Sequence, residues 1–281
     1  MIRLIFFLFI GISFFTSCNS EQKQQNETVQ EKVELPAQKI NWVWDDEFSE
    51  DEKTKLTEWI EFTSSCAQEV LGRYPFDLNY HFHRRENPYQ AVVFGHTGRT
   101  ATYHGAHFYV DPTYSLEDLL VDWIAPHEIS HLALPRLGKD NMWFYEGFAT
   151  YMSRQVMKEM ETITDFEADS TCCERIAYIK PAYQSSSNFI AVADSLKNES
   201  RYPQLYWGGA SYFYTIEKQL QEANKKPLID VLKVFQTCCH VAEMTLDDVV
   251  ESFDNISGTH LFSELLVDYQ TKPAYLMLEE Y

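Results

Sequence analysis

The sequence predicts an α+β protein in which a sheet-bearing half is followed by a mostly helical half. Short β-type runs, "LNYHFH", "AVVF" and "HFYV", lie between residues 76 and 112 and are separated by Gly, Pro and Asn. From residue 141 onward nearly every segment has apolar residues at helical spacing, with breaks near 181–189, 198–204 and 254–260. The 281 residues, 45% of them hydrophobic, are enough for a sizeable core.

The first element of the folded part is a helix predicted over residues 48–72. Ser49 and Glu52 have the spacing of a capping box, in which each side chain accepts a hydrogen bond from the other residue's backbone N–H. Apolar residues then recur at helical spacing, and Gly72 is the residue type that ends helices.

A second helix is expected to begin at Ser115, where Asp118 completes another capping pattern, and to run into the segment "HEISH" (127–131). Pro126 stands immediately before that segment and has no backbone N–H to donate. It therefore either kinks the helix or begins a new one at this point.

The segment "HEISH" has the spacing of a catalytic metal site. Residues four apart share one face of a helix, so His127 and His131 can present imidazole nitrogens to one ion, with Glu128 beside a water on that ion. Zinc suits two imidazoles and one carboxylate and makes its bound water easier to deprotonate. Taken alone, the segment is also compatible with a solvated helical turn, so a third ligand is required.

That third ligand is offered by Glu146 in "NMWFYEGFATY" (141–151). With "FYVDPTYSLEDLLVDWIAPHEISH" upstream and "LYWGGASYFYT" (205–215) downstream, this segment resembles the aminopeptidase N and glycyl aminopeptidase families of gluzincin zinc metallopeptidases. The resemblance covers roughly residues 105–270 and implies a thermolysin-like zincin catalytic unit. It implies zinc as the cofactor, bound by three residues: His127, His131 and Glu146.

The resemblance also implies two catalytic roles. Glu128 would activate the attacking water as a general base, and the hydroxyl of Tyr206 would stabilise the tetrahedral intermediate. The expected reaction is hydrolysis of peptide bonds in peptides or proteins. The alternative is a non-catalytic, zinc-containing surface lipoprotein that binds a protein or glycan partner.

Two departures from the family pattern bear on the site, one on its substrate and one on its zinc. No carboxylate occurs between Gly95 and Val110, where the family's Gly-x-Met-Glu-Asn segment supplies the Glu that binds a free amino terminus. Endopeptidase and aminopeptidase activity therefore both stay open, with a tilt toward an enzyme that needs no free amino terminus. We expect the segment Tyr103, His104, Gly105 and Ala106 to form an edge strand against which a peptide lies. The second departure is Thr150, which stands where an acid commonly orients a zinc histidine, so zinc binding is expected to be weaker.

Several histidines fall outside the motif. Alternate residues of a strand share a face, so His81 and His83 can both touch a second metal ion, with three further histidines near them in sequence (His96, His104, His107). Polar strand faces and loops explain the same residues and are the favoured interpretation. Of the five, His104 and His107 are expected to line the cleft.

The N-terminus resembles a bacterial lipoprotein signal. A basic start and an apolar run over residues 4–15 precede Thr16, Ser17 and Cys18, and the run is too short to span a bilayer. The resemblance implies a signal peptide over 1–17 and lipidation of Cys18, and the alternative is plain secretion with cleavage near Ser17. Residues 19–39 are rich in Gln, Glu and Lys, a composition typical of a flexible tether.

The predicted organisation is a signal peptide (1–17), a lipidated Cys with its tether (18–39) and a peptidase domain (40–281). The domain divides into a sheet-bearing half over about 40–132 and a helical half over about 133–281. We expect it to stand outside the cytoplasm in a bacterial cell envelope, attached to the membrane by its lipid alone. A formal net charge of −19 argues against a nucleic-acid partner and against an anionic membrane surface.

Five further cysteines need placing. Export permits disulfides, and we expect two bridges between the pairs Cys172-Cys173 and Cys238-Cys239, which leaves Cys66 free. The alternative is a metal site built from the paired cysteines, but the two-residue gap usual between such ligands is missing.

Overall fold

The computed structural model describes residues 38–100 and 103–281. Four strands, β1 (Ile40–Trp44), β2 (Leu78–Arg84), β3 (Val92–Arg99) and β4 (His104–Val110), form one sheet in the order β1-β2-β4-β3. β1 pairs with β2 and β2 with β4 in parallel, whereas β3 runs antiparallel to β4 at the edge. The predicted signal peptide and Cys18 lie outside the described residues. Within those residues, no helix is long and apolar enough to cross a membrane.

Helices make up most of the remaining described chain: α1 (Glu50–Leu71), α2 (Leu116–Leu120), α3 (Ile124–His131), α4 (Met142–Glu159), α5 (Asp165–Ile179), α6 (Phe189–Asn198), α7 (Tyr202–Glu222), α8 (Leu228–Cys238), α9 (Leu246–Ser257), α10 (Leu261–Thr271) and α11 (Ala274–Met277). The predicted sequence of strands followed by helices is confirmed. The helices also separate at 160–164, 223–227 and 239–245, which the apolar spacing did not predict.

The predicted first helix is confirmed as α1. Ser49 and Glu52 form the capping box in both directions, and the helix ends at Gly72, whose φ of 87° favours glycine. β1 was not predicted, because its five residues stand alone before that helix. It is held by ring stacking on the neighbouring strand, with Trp44 at 4.6 Å from Phe82.

The expected continuous helix from Ser115 into "HEISH" is wrong, because the chain forms two helices there. α2 ends at Leu120 and α3 begins at Ile124, whose N–H donates to the Asp122 carboxylate at 2.7 Å. Pro126 lies in the first turn of α3, where a missing N–H costs little. Of the two roles considered for this proline, the structure shows the one in which a new helix begins.

Helices cover one face of the sheet. Trp59 of α1 meets Phe108 of β4 edge-on at 5.4 Å, and α3 lies against β3 at Gly95, where a Cβ atom would collide with Glu128. The opposite face carries four partly exposed histidines: His81, His83, His96 and His107.

α4 and α7 cross at two glycines. A methyl group on Gly147 would overlap the backbone of Gly209, and one on Gly209 would overlap the Trp143 carbonyl oxygen. Since neither helix carries a side chain at the crossing, their backbones touch. This contact brings the N-terminal end of α7 next to the first turns of α4.

The expected bridges between the two cysteine pairs are wrong. Cys238 and Cys239 are joined to each other, while Cys172 and Cys173 are free. The two pairs belong to different parts of the helical half, since α5 packs on α7 and α4, and α8 packs mainly on α9 and α1. The prediction that Cys66 is free is confirmed, and it is buried.

Candidate metal centre and active site

The three predicted ligands converge on one point. Oε2 of Glu146 lies 3.3 Å from Nε2 of His127 and 3.4 Å from Nε2 of His131. Two ligand atoms held tetrahedrally by one zinc ion at about 2.0–2.1 Å are separated by about 3.4 Å. The spacing therefore fits a single zinc ion.

Two helices produce this convergence. α3 presents both histidines on one face, and α4 brings Glu146 opposite them in its second turn. The ring of Tyr145 stacks on that of His131 at 4.2 Å and limits its rotation. α3 thus supplies two of the candidate ligands and α4 supplies the third.

Arg99 fixes the C-terminal end of α3. Its guanidinium donates hydrogen bonds to the carbonyl oxygens of His131 and Leu134, from the end of edge strand β3. A cation at a helix C-terminus satisfies free carbonyls and interacts favourably with the helix dipole. This partly buried residue was missed by sequence reasoning, because "TGRT" carries no pattern that distinguishes it from a surface arginine.

The charges of the site suit metal binding. Burial alone would raise the pKa of Glu146, but the imidazoles of His131 and His127 outweigh burial and hold that pKa below its ordinary value. Burial lowers the pKa of His131 to about 4, against the opposing effect of Glu146. The carboxylate is therefore ionised and this imidazole neutral near pH 7, which are the forms that bind zinc.

Glu128 lies beside the ligands and is 8% exposed. Burial raises its pKa to about 7, with Glu146 adding to the rise and His127 opposing it. Gly95 of β3 makes room for this side chain. A carboxyl group with a pKa near neutrality has the proton affinity that a general base requires.

Tyr206, in the second turn of α7, also reaches the site. Its ring lies 5.7 Å from that of His127. Burial raises the pKa of Tyr206, and the carboxylates of Glu146 and Glu128 raise it further, so the hydroxyl keeps its proton. Gly209, one turn later, sets how closely this tyrosine approaches α4.

The two candidate ligand histidines lack hydrogen-bond partners for their second ring nitrogens among the described residues. Nδ1 of His127, Nδ1 of His131 and the hydroxyl of Thr150 are buried, and none has a hydrogen-bond partner among the described residues. This agrees with the absence of an acid at position 150. A missing partner of this kind typically lowers metal affinity by about 10-fold or more.

The expectation that Tyr103–Ala106 form an edge strand is wrong. His104, Gly105 and Ala106 belong to β4, which lies between β2 and β3, so the edge beside Glu128 is β3. A direct role of these four residues in substrate binding stays a prediction.

The expected lining by His104 and His107 does not match the sheet geometry. His104 is buried and stacks on Phe76 at 3.8 Å. The ring of His107 faces away from the helices, next to His81.

A cavity of about 570 Å³ opens beside Glu146. It is lined by Thr97 of β3, by Tyr145 and by four cationic side chains: Arg99, Arg136, Lys139 and Lys197. A pocket of this charge, next to the ligand cluster, suits an anionic group.

Comparison with known proteins gives a structural match. No protein-family model matches the chain, and no curated protein matches it in sequence. A solved two-domain M1 zinc metallopeptidase bound to L-arginine superposes with a TM-score of 0.51 at 12% identity, over 84% of this chain and 49% of that one. An M1 zinc metallopeptidase from Deinococcus radiodurans gives 0.51 at 14%, over 85% and 50%. The chain has the fold of these enzymes.

The shared fold agrees with the resemblance that the sequence motifs carry. The chain spans about half the length of the solved metallopeptidases it matches. The likeness therefore concerns one portion of those proteins. Identities of 12–14% show the fold, and the chemistry has to be argued from the residues of this chain.

Proposed function

We propose that this protein is a zinc-dependent peptidase with a thermolysin-like gluzincin centre. The observation that supports this best is the convergence of His127, His131 and Glu146 at separations of 3.3 and 3.4 Å, with Glu128 beside them. Two imidazoles and a carboxylate leave one position open on zinc, as in catalytic rather than structural sites. When bound, zinc lowers the pKa of a coordinated water and polarises a peptide carbonyl.

Two side chains would act on the substrate. Glu128 takes the proton of the attacking water and passes it to the leaving amine, for which a pKa of about 7 is well placed. Tyr206 keeps its hydroxyl proton and donates a hydrogen bond to the carbonyl oxygen as negative charge develops. Glu128 is buried and Tyr206 is partly buried, and hydrogen bonds are stronger away from water.

The substrate would be a peptide that pairs with the free edge of β3. This strand lies directly over Glu128 through Gly95, and its outer backbone groups are available for strand addition. The cavity next to Glu146 favours a carboxylate-bearing residue through Lys139 and Lys197. The segment from Gly95 to Val110 holds no carboxylate that could bind a free amino terminus, which favours cleavage within a chain over removal of N-terminal residues.

The site of action would be outside the cytoplasm. The apolar run and Cys18 support a lipoprotein anchored in a bacterial cell envelope, with the domain held by a tether over residues 19–39. Labelling with a palmitate analogue tests this. Label in the wild type and none in Cys18→Ala is expected, and label in both would contradict it.

A peptide library read by mass spectrometry tests the activity. Wild type should cut, Glu128→Gln should lose cutting while keeping its metal, and Glu251→Gln, an exposed position on α9, serves as the matched control. Metal without cleavage in any variant would contradict the peptidase and favour a binding lipoprotein. Internal cuts would identify an endopeptidase, and loss of single N-terminal residues an aminopeptidase.

A further inference from the structure

The outer face of the sheet carries a row of histidines. Register places His107 of β4 directly between His81 of β2 and His96 of β3. The three rings stack across the strands, with centroids 4.1 Å apart for His81 and His107 and 4.5 Å for His96 and His107. His83 lies two residues along β2 on the same face.

A carboxylate completes this group. Asp45 follows β1, and its Oδ2 lies 3.4 Å from Nε2 of His83 and 2.8 Å from Nδ1 of His81. Nε2 of His83 lies 3.1 Å from Nδ1 of His107. One ligand atom from each of Asp45, His83 and His107 lies within 4.8 Å of the others.

These separations match those at the candidate zinc centre. Ligand atoms around one tetrahedral ion with bonds of about 2.0–2.1 Å lie about 3.4 Å apart, and the two atom pairs that involve His83 measure 3.1 and 3.4 Å. Nε2 of His83 lies close to both Oδ2 of Asp45 and Nδ1 of His107. A neutral imidazole has one N–H, so it cannot donate a hydrogen bond to each of them. A bound cation accounts for three potential ligand atoms that lie within 4.8 Å of one another.

We propose that Asp45, His83 and His107 bind a second divalent transition-metal ion. Imidazole and carboxylate ligands suit zinc, copper or nickel rather than magnesium or calcium. His81 then acts as the outer partner that orients the Asp45 carboxylate through their 2.8 Å hydrogen bond. Side-chain exposures of 21% for His83 and 35% for Asp45 let an ion and its waters reach the position from solvent.

This second site has its own structural role. Its ligands come from the end of β1, from β2 and from β4, so one ion joins three strands of the sheet. It lies on the face of the sheet opposite to α3. Gly95 of β3 faces Glu128 of α3, and the next residue, His96, faces the other way and stacks on His107. The inference does not depend on the proposed peptidase activity, and we expect the ion to stabilise the sheet.

Metal stoichiometry tests it. The full chain, purified in detergent and stripped with a chelator, is dialysed against zinc, and bound metal is measured by elemental analysis. Wild type should hold two ions per chain, a His83→Ala/His107→Ala double variant one, and a His127→Ala/His131→Ala double variant one. Asp45→Asn should bind the second ion at least about 10-fold more weakly, and His260→Ala, an exposed control, should hold two.

Folding and independence have separate readouts. Circular dichroism confirms that each variant is folded, and zinc should raise the melting temperature of the His127→Ala/His131→Ala variant but not of the combined fourfold variant. One ion in wild type, retained by the His83→Ala/His107→Ala variant, would overturn the second site and leave the first intact. One ion retained only by the His127→Ala/His131→Ala variant would support the second site and contradict the proposed zinc peptidase.

Discussion

Gly209→Ala places a methyl group where α4 and α7 touch. The added carbon would overlap the Trp143 carbonyl oxygen and lie 2.9 Å from Cα of Gly147, whereas ordinary contacts begin at 3.4 Å. Restoring 3.4 from 2.9 Å at Gly147 requires the helices to separate by 0.5 Å, and the nearer Trp143 carbonyl oxygen requires a larger separation still. Because Tyr206 lies one turn before Gly209, this separation moves its hydroxyl away from the metal ligands.

Two effects follow from that movement. Overpacking of this kind costs about 1–3 kcal/mol, which lowers the melting temperature of a chain of this size by roughly 2–12 °C. Displacing a catalytic group by about 1 Å costs around 100-fold in rate, so we expect peptide cleavage to fall between about 10-fold and 100-fold. The metal content should not change, because the three ligands lie on α3 and α4.

The assay combines thermal unfolding with cleavage of a peptide identified from the library. Glu222→Ala is the control, since this exposed residue lies at the C-terminal end of the same helix, α7, away from the crossing. An unchanged melting temperature together with full activity in Gly209→Ala would refute the close helix crossing as the feature that positions Tyr206.

Three other perturbations test separate features of the protein. Tyr206→Phe should lower kcat by about 100-fold to 1,000-fold with KM and metal content unchanged. An equal fall in kcat in the control variant Tyr202→Phe would contradict this role of Tyr206. Arg99→Met leaves the His131 and Leu134 carbonyls unpaired and should destabilise the fold by about 2 kcal/mol or more in denaturant unfolding; no change would contradict its capping role. Burial lowers the pKa of His240 to about 3. The unfolded chain therefore binds this proton at higher pH than the folded chain, and the free energy of unfolding should fall as pH drops below 6.5, by about 2 kcal/mol at pH 5. The loss should be smaller in His240→Asn, and an equal loss would show that this histidine is not its source.

The convergence of the three candidate ligands could be predicted because it depends on local spacing. His127 and His131 are one turn apart on a single helix, and Glu146 stands in a segment whose neighbouring residues match a known pattern. The capping boxes at the starts of α1 and α2 were predicted for the same reason, since each involves residues three apart. Local geometry of this kind follows from the sequence directly.

What the sequence did not reveal depends on contacts between distant segments. The strand order places β3 rather than β4 at the edge, and no local pattern in "HGAHFYV" carries that information. Arg99 reaches α3 across a separation of 32 residues. The histidine row likewise needs the register of three strands, so polar strand faces were the simpler interpretation of His81, His83 and His107.

The zinc centre itself is tested most directly by crystallography with anomalous diffraction at the zinc absorption edge. We predict a peak at about 2.0–2.2 Å from Nε2 of His127, Nε2 of His131 and a carboxylate oxygen of Glu146. Crystals of the Glu146→Gln variant grown under the same conditions should show a much weaker peak at that position. Crystals of wild-type protein grown with zinc that show no density between these three side chains would contradict the central claim.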